Sequence, residues 1–178
     1  MFSTYKKGGI VKTIYLVTHG EKEDGPNPGL STLGDVRVEL LRDHLPQNIH
    51  LVVCGVGRRH IQTRETLELD RFPTRWNTLA GVDCSLISGS TKILLGDGTE
   101  IERSEFEDPP DVINLYRKWV SSYPDNTVII GGRPIVRKLG VDLVPRAAAL
   151  YKIKLDEGLR VSEVAAYGEG RDETRKEV

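Results

Sequence analysis

The hydrophobic residues of this chain fall into short apolar runs that alternate with segments of helical periodicity. Three runs show almost no polar alternation, namely Ile14–Val17, Leu51–Cys54 and Thr127–Ile130. Such runs are typical of strands that are buried on both faces of a parallel sheet. The alternation of strands with helices predicts an α/β protein, a three-layer α/β/α sandwich with a mostly parallel central sheet.

The segments between these runs carry apolar residues at the three- and four-residue spacing of helices. Helices are predicted over 33–45, over 58–69 and from a cap at Asp108 to about Tyr123. In the first, Ser31 or Thr32 serves as the cap, and Pro46 lies just beyond the end. Its expected buried stripe consists of Val36, Leu40, Leu41 and Leu45.

Two pairs of strand-like segments surround glycine-containing turns and predict β-hairpins. Residues 92–95 and 99–101 flank Gly96-Asp97-Gly98, and residues 150–155 and 159–166 flank Asp156-Glu157-Gly158. We divide the chain into a lead-in, 1–12, one domain, 13–168, and a charged tail, 169–178. The tail lacks an apolar pattern and is predicted to be disordered.

Composition narrows the class of protein. The chain has 178 residues, of which 38% are hydrophobic and 29% charged, as expected for one soluble globular domain. A net charge of −1 gives no general attraction to nucleic acid or to an anionic membrane, so neither is a predicted partner. No window has the length of a membrane span and no signal-like apolar segment follows the N-terminus, so we expect a cytoplasmic protein.

The two cysteines, Cys54 and Cys84, have neither the number nor the spacing of a disulfide framework or a zinc site. Cys54 ends an apolar strand and is predicted to be buried rather than reactive. We therefore expect no metal and no cofactor.

The first apolar strand leads directly to a histidine and a glycine, His19 and Gly20. At the carboxyl end of such a strand a side chain points into the crevice where α/β folds bind ligands. His19 is therefore a candidate nucleophile or general base. The alternative is a hydrogen-bonded structural histidine, which the strand end alone does not exclude.

The second apolar strand leads into a glycine-rich turn, Gly55-Val56-Gly57, and then into a helix. Unpaired amides and the helix dipole make such a helix start suitable for binding an anion. The lysine and the spacing of a Walker motif are absent, so the turn does not predict a nucleotide-binding loop.

Three motifs follow one another in this strand–loop–helix context. They are Thr18-His19-Gly20, the segment Leu30-Ser31-Thr32-Leu33-Gly34, and Arg59-x-x-Gln62-Thr63-x-Glu65. Together they resemble the histidine phosphatase superfamily, which includes phosphoglycerate mutases and phosphohistidine phosphatases. The resemblance implies a phosphoglycerate mutase-like fold, and a small phosphorylated molecule or a phosphoprotein as partner. It does not define the oligomeric state.

The resemblance also implies roles for two residues. His19 would be the nucleophile that forms a phosphohistidine, which requires a neutral imidazole facing fixed positive charge. Arg59 would bind the phosphate, because its planar guanidinium can hold two phosphoryl oxygens and stabilise developing charge.

Two further members of the family's phosphate pocket are replaced in this chain. Thr18 stands where the family has an arginine before the nucleophile, and Gly132 stands where it has a second histidine. Thr18 would supply a neutral donor in place of a charged one. Arg133, beside Gly132, can return a positive charge, or it is simply a solvated side chain. The remaining histidines, His44, His50 and His60, are interpreted as structural.

The family's general acid has two candidates in this sequence. Asp83 is best placed by its distance along the chain, and Glu21, close to the nucleophile, is the second choice. Such an acid needs partial burial beside the phosphate. The alternative for Asp83 is a solvent-facing residue of a turn.

Two functions remain open on these residues. The first is a diverged phosphatase that hydrolyses a phosphomonoester through His19. The second is a catalytically weak or inactive relative that binds a phosphorylated ligand or a protein partner in the same crevice. A mutase is least favoured, because the short chain lacks insertions that would grip a substrate.

Overall fold

The structure is a computed structural model that describes residues 10–81, 84–86, 92–95, 100–102, 112–168 and 173–176. Its helices are α1 (Thr32–Glu39), α2 (Arg58–Thr66), α3 (Val112–Ser121) and α4 (Pro134–Lys138), with a 3₁₀ turn at Arg42–His44. The strands are β1 (Ile10–Thr18), β2 (Leu51–Cys54), β3 (Thr74–Trp76), β4 (Cys84–Leu86), β5 (Lys92–Leu95), β6 (Glu100–Glu102), β7 (Thr127–Gly131), β8 (Leu150–Asp156), β9 (Val161–Tyr167) and β10 (Glu173–Lys176).

Among the described residues, seven strands form the main sheet in the order β10-β9-β8-β1-β7-β2-β3. Strands β1, β7, β2 and β3 are parallel, and β8, β9 and β10 extend the sheet in antiparallel fashion. The three apolar runs predicted from the sequence are therefore neighbours in one sheet, as expected. The sheet is mixed, because the predicted hairpin of β8 and β9 adds antiparallel strands beside β1.

Helices cover both faces of this sheet. Tyr116 and Val120 of α3 and Ile135 of α4 belong to the core on one face, and Val38 and Leu41 belong to the core on the other. In β1, alternate residues serve the two cores, and all of 14–17 are buried. This explains the absence of polar alternation along the strand and confirms the three-layer sandwich.

Helix α1 begins as predicted but presents a different face to the core. Ser31 is the N-cap and accepts a hydrogen bond from the Gly34 amide at 3.1 Å. Of the predicted inward residues, Val36 and Leu40 are 52% and 67% exposed, whereas Leu41, just beyond the helix, is buried as expected. Gly34 and Val38, four residues apart, face inward instead, because the backbone at Gly34 packs directly against the preceding loop.

The ends of the domain differ from the sequence prediction. Strand β1 begins at Ile10, and residues Glu173–Lys176 of the predicted disordered tail form β10. Strand β10 pairs with β9, whose open edge offers backbone groups irrespective of the incoming side chains. The β5–β6 pairing confirms the first predicted hairpin, although its turn, 96–99, and the predicted cap Asp108 lie outside the described residues.

None of the helices in the described ranges has the length and apolar character needed to cross a membrane. Cys54 is fully buried at the end of β2, as predicted, and burial raises the pKa of its thiol to about 12.

Candidate active site

His19 follows β1 and is held by the backbone on both sides. Its amide donates to the carbonyl of Gly131 at 3.1 Å, and its carbonyl accepts from the amide of Ala148 at 3.0 Å. The side chain is 9% exposed. The histidine is thus presented on a rigid strand end, as the sequence predicted.

The glycines of two sequence motifs let the loop after His19 meet the start of α1. A Cβ atom on Gly20 would overlap the backbone of Gly34, and a Cβ on Gly34 would overlap the backbone of Glu21. The amide of Ser31 completes the contact by donating to the carbonyl of Glu21 at 2.9 Å. The close backbone approach explains why both positions carry glycine.

We expect Gly34→Ala to lower the free energy of unfolding by roughly 1–3 kcal/mol or more, because the added methyl group meets backbone that cannot rotate away. Urea unfolding measures the change. Gly132→Ala is the matched control, since its Cβ would lie 3.3 Å from the Pro134 Cδ atom and is accommodated by a small shift. Equal stability losses in the two variants would contradict the interpretation.

The two nitrogens of His19 have different partners. Nδ1 lies 2.7 Å from the carbonyl oxygen of Gly20, which can only accept, so Nδ1 carries the proton. Nε2 then has a lone pair, and it accepts a hydrogen bond from Nε–H of Arg59 at 3.1 Å. The predicted nucleophile and the predicted phosphate-binding arginine are therefore in direct contact.

Arg59 is 7% exposed and lies in the first turn of α2, whose other motif residues hold the site together. Oε1 of Gln62 accepts a hydrogen bond from the amide of Leu30 at 2.6 Å, which connects the loop after His19 to α2. The hydroxyl of Thr63 donates to the carbonyl of Arg59 at 2.8 Å. The guanidinium thus reaches His19 from a helix start, where the dipole also favours an anion.

The electrostatics keep His19 neutral. The pKa of His19 is lowered to about 4, chiefly by burial; the positive charges of Arg59, Arg133 and Lys22 contribute to this lowering, and the hydrogen bond to Gly20 opposes it. Arg133 therefore acts on the predicted nucleophile, although its side chain is exposed. The effect of Lys22 on His19 was not predicted from the sequence, although the position of Lys22 in the loop after His19 could have indicated it.

His60 was interpreted as structural, but it lies against the candidate nucleophile. Its ring is completely buried and packs edge-to-face with the ring of His19 at a centroid separation of 5.2 Å. The pKa of His60 is lowered to about 2, chiefly by burial, with contributions from Arg59 and His19. Its position directly after Arg59 was the sequence signal.

Two predicted phosphate-binding residues, Thr18 and Gly132, are hydrogen-bonded to backbone groups of other segments. Thr18 is fully buried, and its hydroxyl donates to the carbonyl of Arg146 at 2.6 Å and accepts from the amide of Ala149 at 3.0 Å. The amide of Gly132 donates to the carbonyl of Ala80 at 3.1 Å. Neither group is brought to the contact between His19 and Arg59, because each satisfies backbone of a neighbouring segment.

Of the two candidate general acids, the structure describes Glu21 but not Asp83. Glu21 forms an ion pair with Arg37 of α1. Asp83 lies outside the described residues. Among the described residues there is no group of three or more side chains suited to holding a metal ion.

A separate cavity of about 350 Å³ lies between the loop after His19 and the helices α1 and α2. It is lined by the carboxylates of Glu23, Asp35 and Glu65, whose negative charges repel a phosphate. The positive charges that act on His19 are those of Arg59, Arg133 and Lys22, none of which lines this cavity.

The buried histidines predict a fall in stability toward acid pH. An unfolded histidine takes up a proton near pH 6.5, whereas His19 stays neutral to about pH 4 and His60 to about pH 2. Between these values the unfolded chain binds more protons. Stability is therefore fully present above pH 6.5 and declines as the pH falls. Each histidine contributes a slope of up to about 1.4 kcal/mol per pH unit.

Urea unfolding between about pH 7 and pH 5 measures this slope. His60→Asn removes one of the two buried imidazoles and should leave roughly half of the slope. An unchanged slope in that variant would show that His60 does not stay neutral in the folded protein.

The α/β fold of the chain is the fold of solved phosphatase structures. It resembles the protein histidine phosphatase SixA, solved in complex with tungstate. The TM-score is 0.53 at 15% identity, over 92% of this chain and 96% of that one. It also resembles a mycobacterial glucosyl-3-phosphoglycerate phosphatase, with a TM-score of 0.52 at 14% identity, over 89% of this chain and 97% of that one. No family model and no curated protein sequence matches the chain.

Proposed function

We propose that this chain is a diverged histidine phosphatase-like protein that hydrolyses a phosphomonoester through a phosphohistidine at His19. The observation that carries the proposal is the contact between His19 Nε2 and Arg59 Nε, with the proton of His19 held on Nδ1 by Gly20. A buried neutral imidazole with its lone pair beside a guanidinium has the groups needed for phosphoryl transfer.

The chemistry follows from this arrangement. An incoming phosphoryl group draws the guanidinium of Arg59 onto its oxygens, which frees the lone pair of His19 Nε2. Nε2 then attacks phosphorus, a P–N bond forms and the ester P–O bond breaks. The leaving alkoxide needs a proton, which we assign to Asp83, the candidate best placed along the chain, since Oε1 of the other candidate, Glu21, is paired with Arg37. Water then gives a proton to the Asp83 carboxylate and attacks phosphorus, the P–N bond breaks, His19 recovers its Nε2 lone pair and inorganic phosphate leaves.

A second candidate function is binding without turnover, of a phosphorylated small molecule or a phosphoprotein in the cytoplasm. Thr18 and Gly132 support this alternative, because both are hydrogen-bonded to backbone carbonyls of the protein rather than available to a phosphate. They leave Arg59 as the cation in direct contact with His19 Nε2. Each lost donor in a preorganised site lowers the rate by roughly 10²–10³-fold.

Turnover of a generic aryl phosphate by the purified protein, compared with His19→Ala, separates the two candidates. Turnover that disappears in His19→Ala supports the phosphatase. Without turnover, tungstate binding that depends on His19 and Arg59 supports the binding protein. Absence of both activities would contradict both candidates.

A further inference from the structure

His60 is held in a single protonation state by the start of its own helix. The amide of Gly57 donates to Nδ1 of His60 at 3.1 Å, so Nδ1 is the acceptor and the proton lies on Nε2. The ring is completely buried, and burial lowers its pKa to about 2. At neutral pH His60 is therefore an uncharged imidazole with one fixed N–H donor.

Two glycines form the slot that holds this ring. A Cβ atom on Gly55 would lie 2.9 Å from Cγ and Nδ1 of His60, and one on Gly81 would overlap Cε1 and Nε2. Any larger residue at either position would displace the imidazole. The ring therefore has little freedom to turn its Nε2–H toward a different partner.

Nε2 of His60 is buried and has no hydrogen-bond partner among the described residues. A buried donor without a partner destabilises the folded protein, so such a group calls for an explanation. The Nε2 end of the ring lies against Gly81, and the adjacent Ala80 binds the amide of Gly132 at the end of β7. The unsatisfied donor thus lies against the segment of Ala80 and Gly81, which is hydrogen-bonded to Gly132 directly after β7.

The surroundings of this donor favour an anion as its acceptor. The ring of His60 contacts the ring of His19, and Arg59 contacts His19 Nε2. Arg133 and Lys22 add positive charge at the same histidine. An oxyanion drawn to these cations would supply the acceptor oxygens that the Nε2–H lacks.

Resting on the proposed function, we propose that His60 is a second imidazole of the phosphate site, and that its Nε2–H donates a hydrogen bond to an oxygen of the oxyanion bound by His19 and Arg59. In this role His60 forms no covalent bond and transfers no proton. It stabilises the charge of the bound phosphoryl group as a preorganised neutral donor.

Tungstate titration of protein labelled with ¹⁵N in histidine tests the donor directly. We expect the Nε2–H proton of His60 to move downfield as tungstate binds, together with the nitrogen signals of His19. Movement of His19 alone would overturn the role of His60 and leave the proposed function intact. No response at either histidine would contradict the proposed function and this inference together. A downfield Nε2–H already present without tungstate would show an existing acceptor and also overturn the inference.

Two variants separate the donor role from a structural one. His60→Asn places an acceptor near the Nδ1 position and keeps the bond to Gly57, but it removes the Nε2–H. His60→Gln reaches the Nε2 position and restores a donor there. We expect His60→Asn to weaken tungstate binding roughly ten- to a hundredfold, and His60→Gln to recover part of the loss. The reverse order of affinities would show that His60 serves only to cap α2.

Discussion

Replacing Arg59 with methionine is expected to lower the rate of phosphohistidine formation by roughly 10²–10³-fold and to weaken tungstate binding in parallel. Methionine keeps much of the apolar stem but removes the guanidinium that contacts His19 Nε2 at 3.1 Å. Because Arg59 is 7% exposed, its charge acts in a poorly solvated site, where it contributes more than it would at the surface. Acid-labile phosphate on the protein and tungstate titration are the two measurements.

Arg58→Met is the matched control, because Arg58 is the preceding residue of the same helix and its side chain is exposed. We expect near-normal tungstate affinity in that variant. Arg59→Lys should recover only part of the loss, since an ammonium group cannot hold two oxygens in the planar fork of a guanidinium. Wild-type affinity in Arg59→Met would show that the anion does not bind beside His19.

The same replacement should also change the titration of the nucleophile. Arg59 is among the charges that lower the pKa of His19, so the pKa in Arg59→Met should rise from about 4 toward 6.5. Burial, which is the larger cause, is unchanged, so the rise is partial. NMR titration of His19 distinguishes this electrostatic effect from a rearrangement of the site.

The sequence predicted the parts of the molecule that depend on local pattern. Continuous apolar runs identified three neighbouring strands, the first strand end identified His19, and the resemblance to the family identified Arg59, which is in contact with His19. Both results follow from a simple rule: parallel strands that end at one edge of a sheet bring the residues after them together.

The face of α1 shows what periodicity alone misses. Val36 and Leu40 have the spacing of a buried stripe, yet both are exposed. The inward face is instead fixed by Gly34, where the helix backbone approaches the loop after His19. A residue without a side chain gives no hydrophobic signal, so the helix orientation could be read only from the tertiary contact.

The functions of Thr18 and His60 depend on partners that are distant in the chain. The hydroxyl of Thr18 binds the carbonyl of Arg146, and the ring of His60 occupies space left by Gly81. Neither contact has a local sequence pattern. The resemblance to the family marked both Thr18 and Gly132 as departures, but it did not indicate that a neighbouring histidine lies against the nucleophile.

The hydrogen bonds of Thr18 also determine the effect of placing the family's arginine at this position. Thr18→Arg is expected to destabilise the fold by at least about 2 kcal/mol, because it leaves the carbonyl of Arg146 and the amide of Ala149 without the hydroxyl that now satisfies them. The new guanidinium would also start from a fully buried position. Urea unfolding measures the loss, and a stable, more active Thr18→Arg would contradict it.

Gly132→His is expected to raise phosphoryl transfer, by up to roughly 10²-fold. The first atom of a side chain is accommodated at this position, since a Cβ there would meet only the Pro134 Cδ atom, at 3.3 Å. The position follows β7, whose Gly131 is paired with Thr18 beside His19, so a new imidazole would lie at the same edge of the sheet.

The gain from Gly132→His should be larger in a His60→Asn background, because the new donor then replaces one that is missing. Aryl phosphate turnover of both single variants and of the double variant measures this coupling. If the unmodified protein already turns over at about 1–10³ s⁻¹ and loses that activity in His19→Ala, its site is complete and Gly132→His should add nothing.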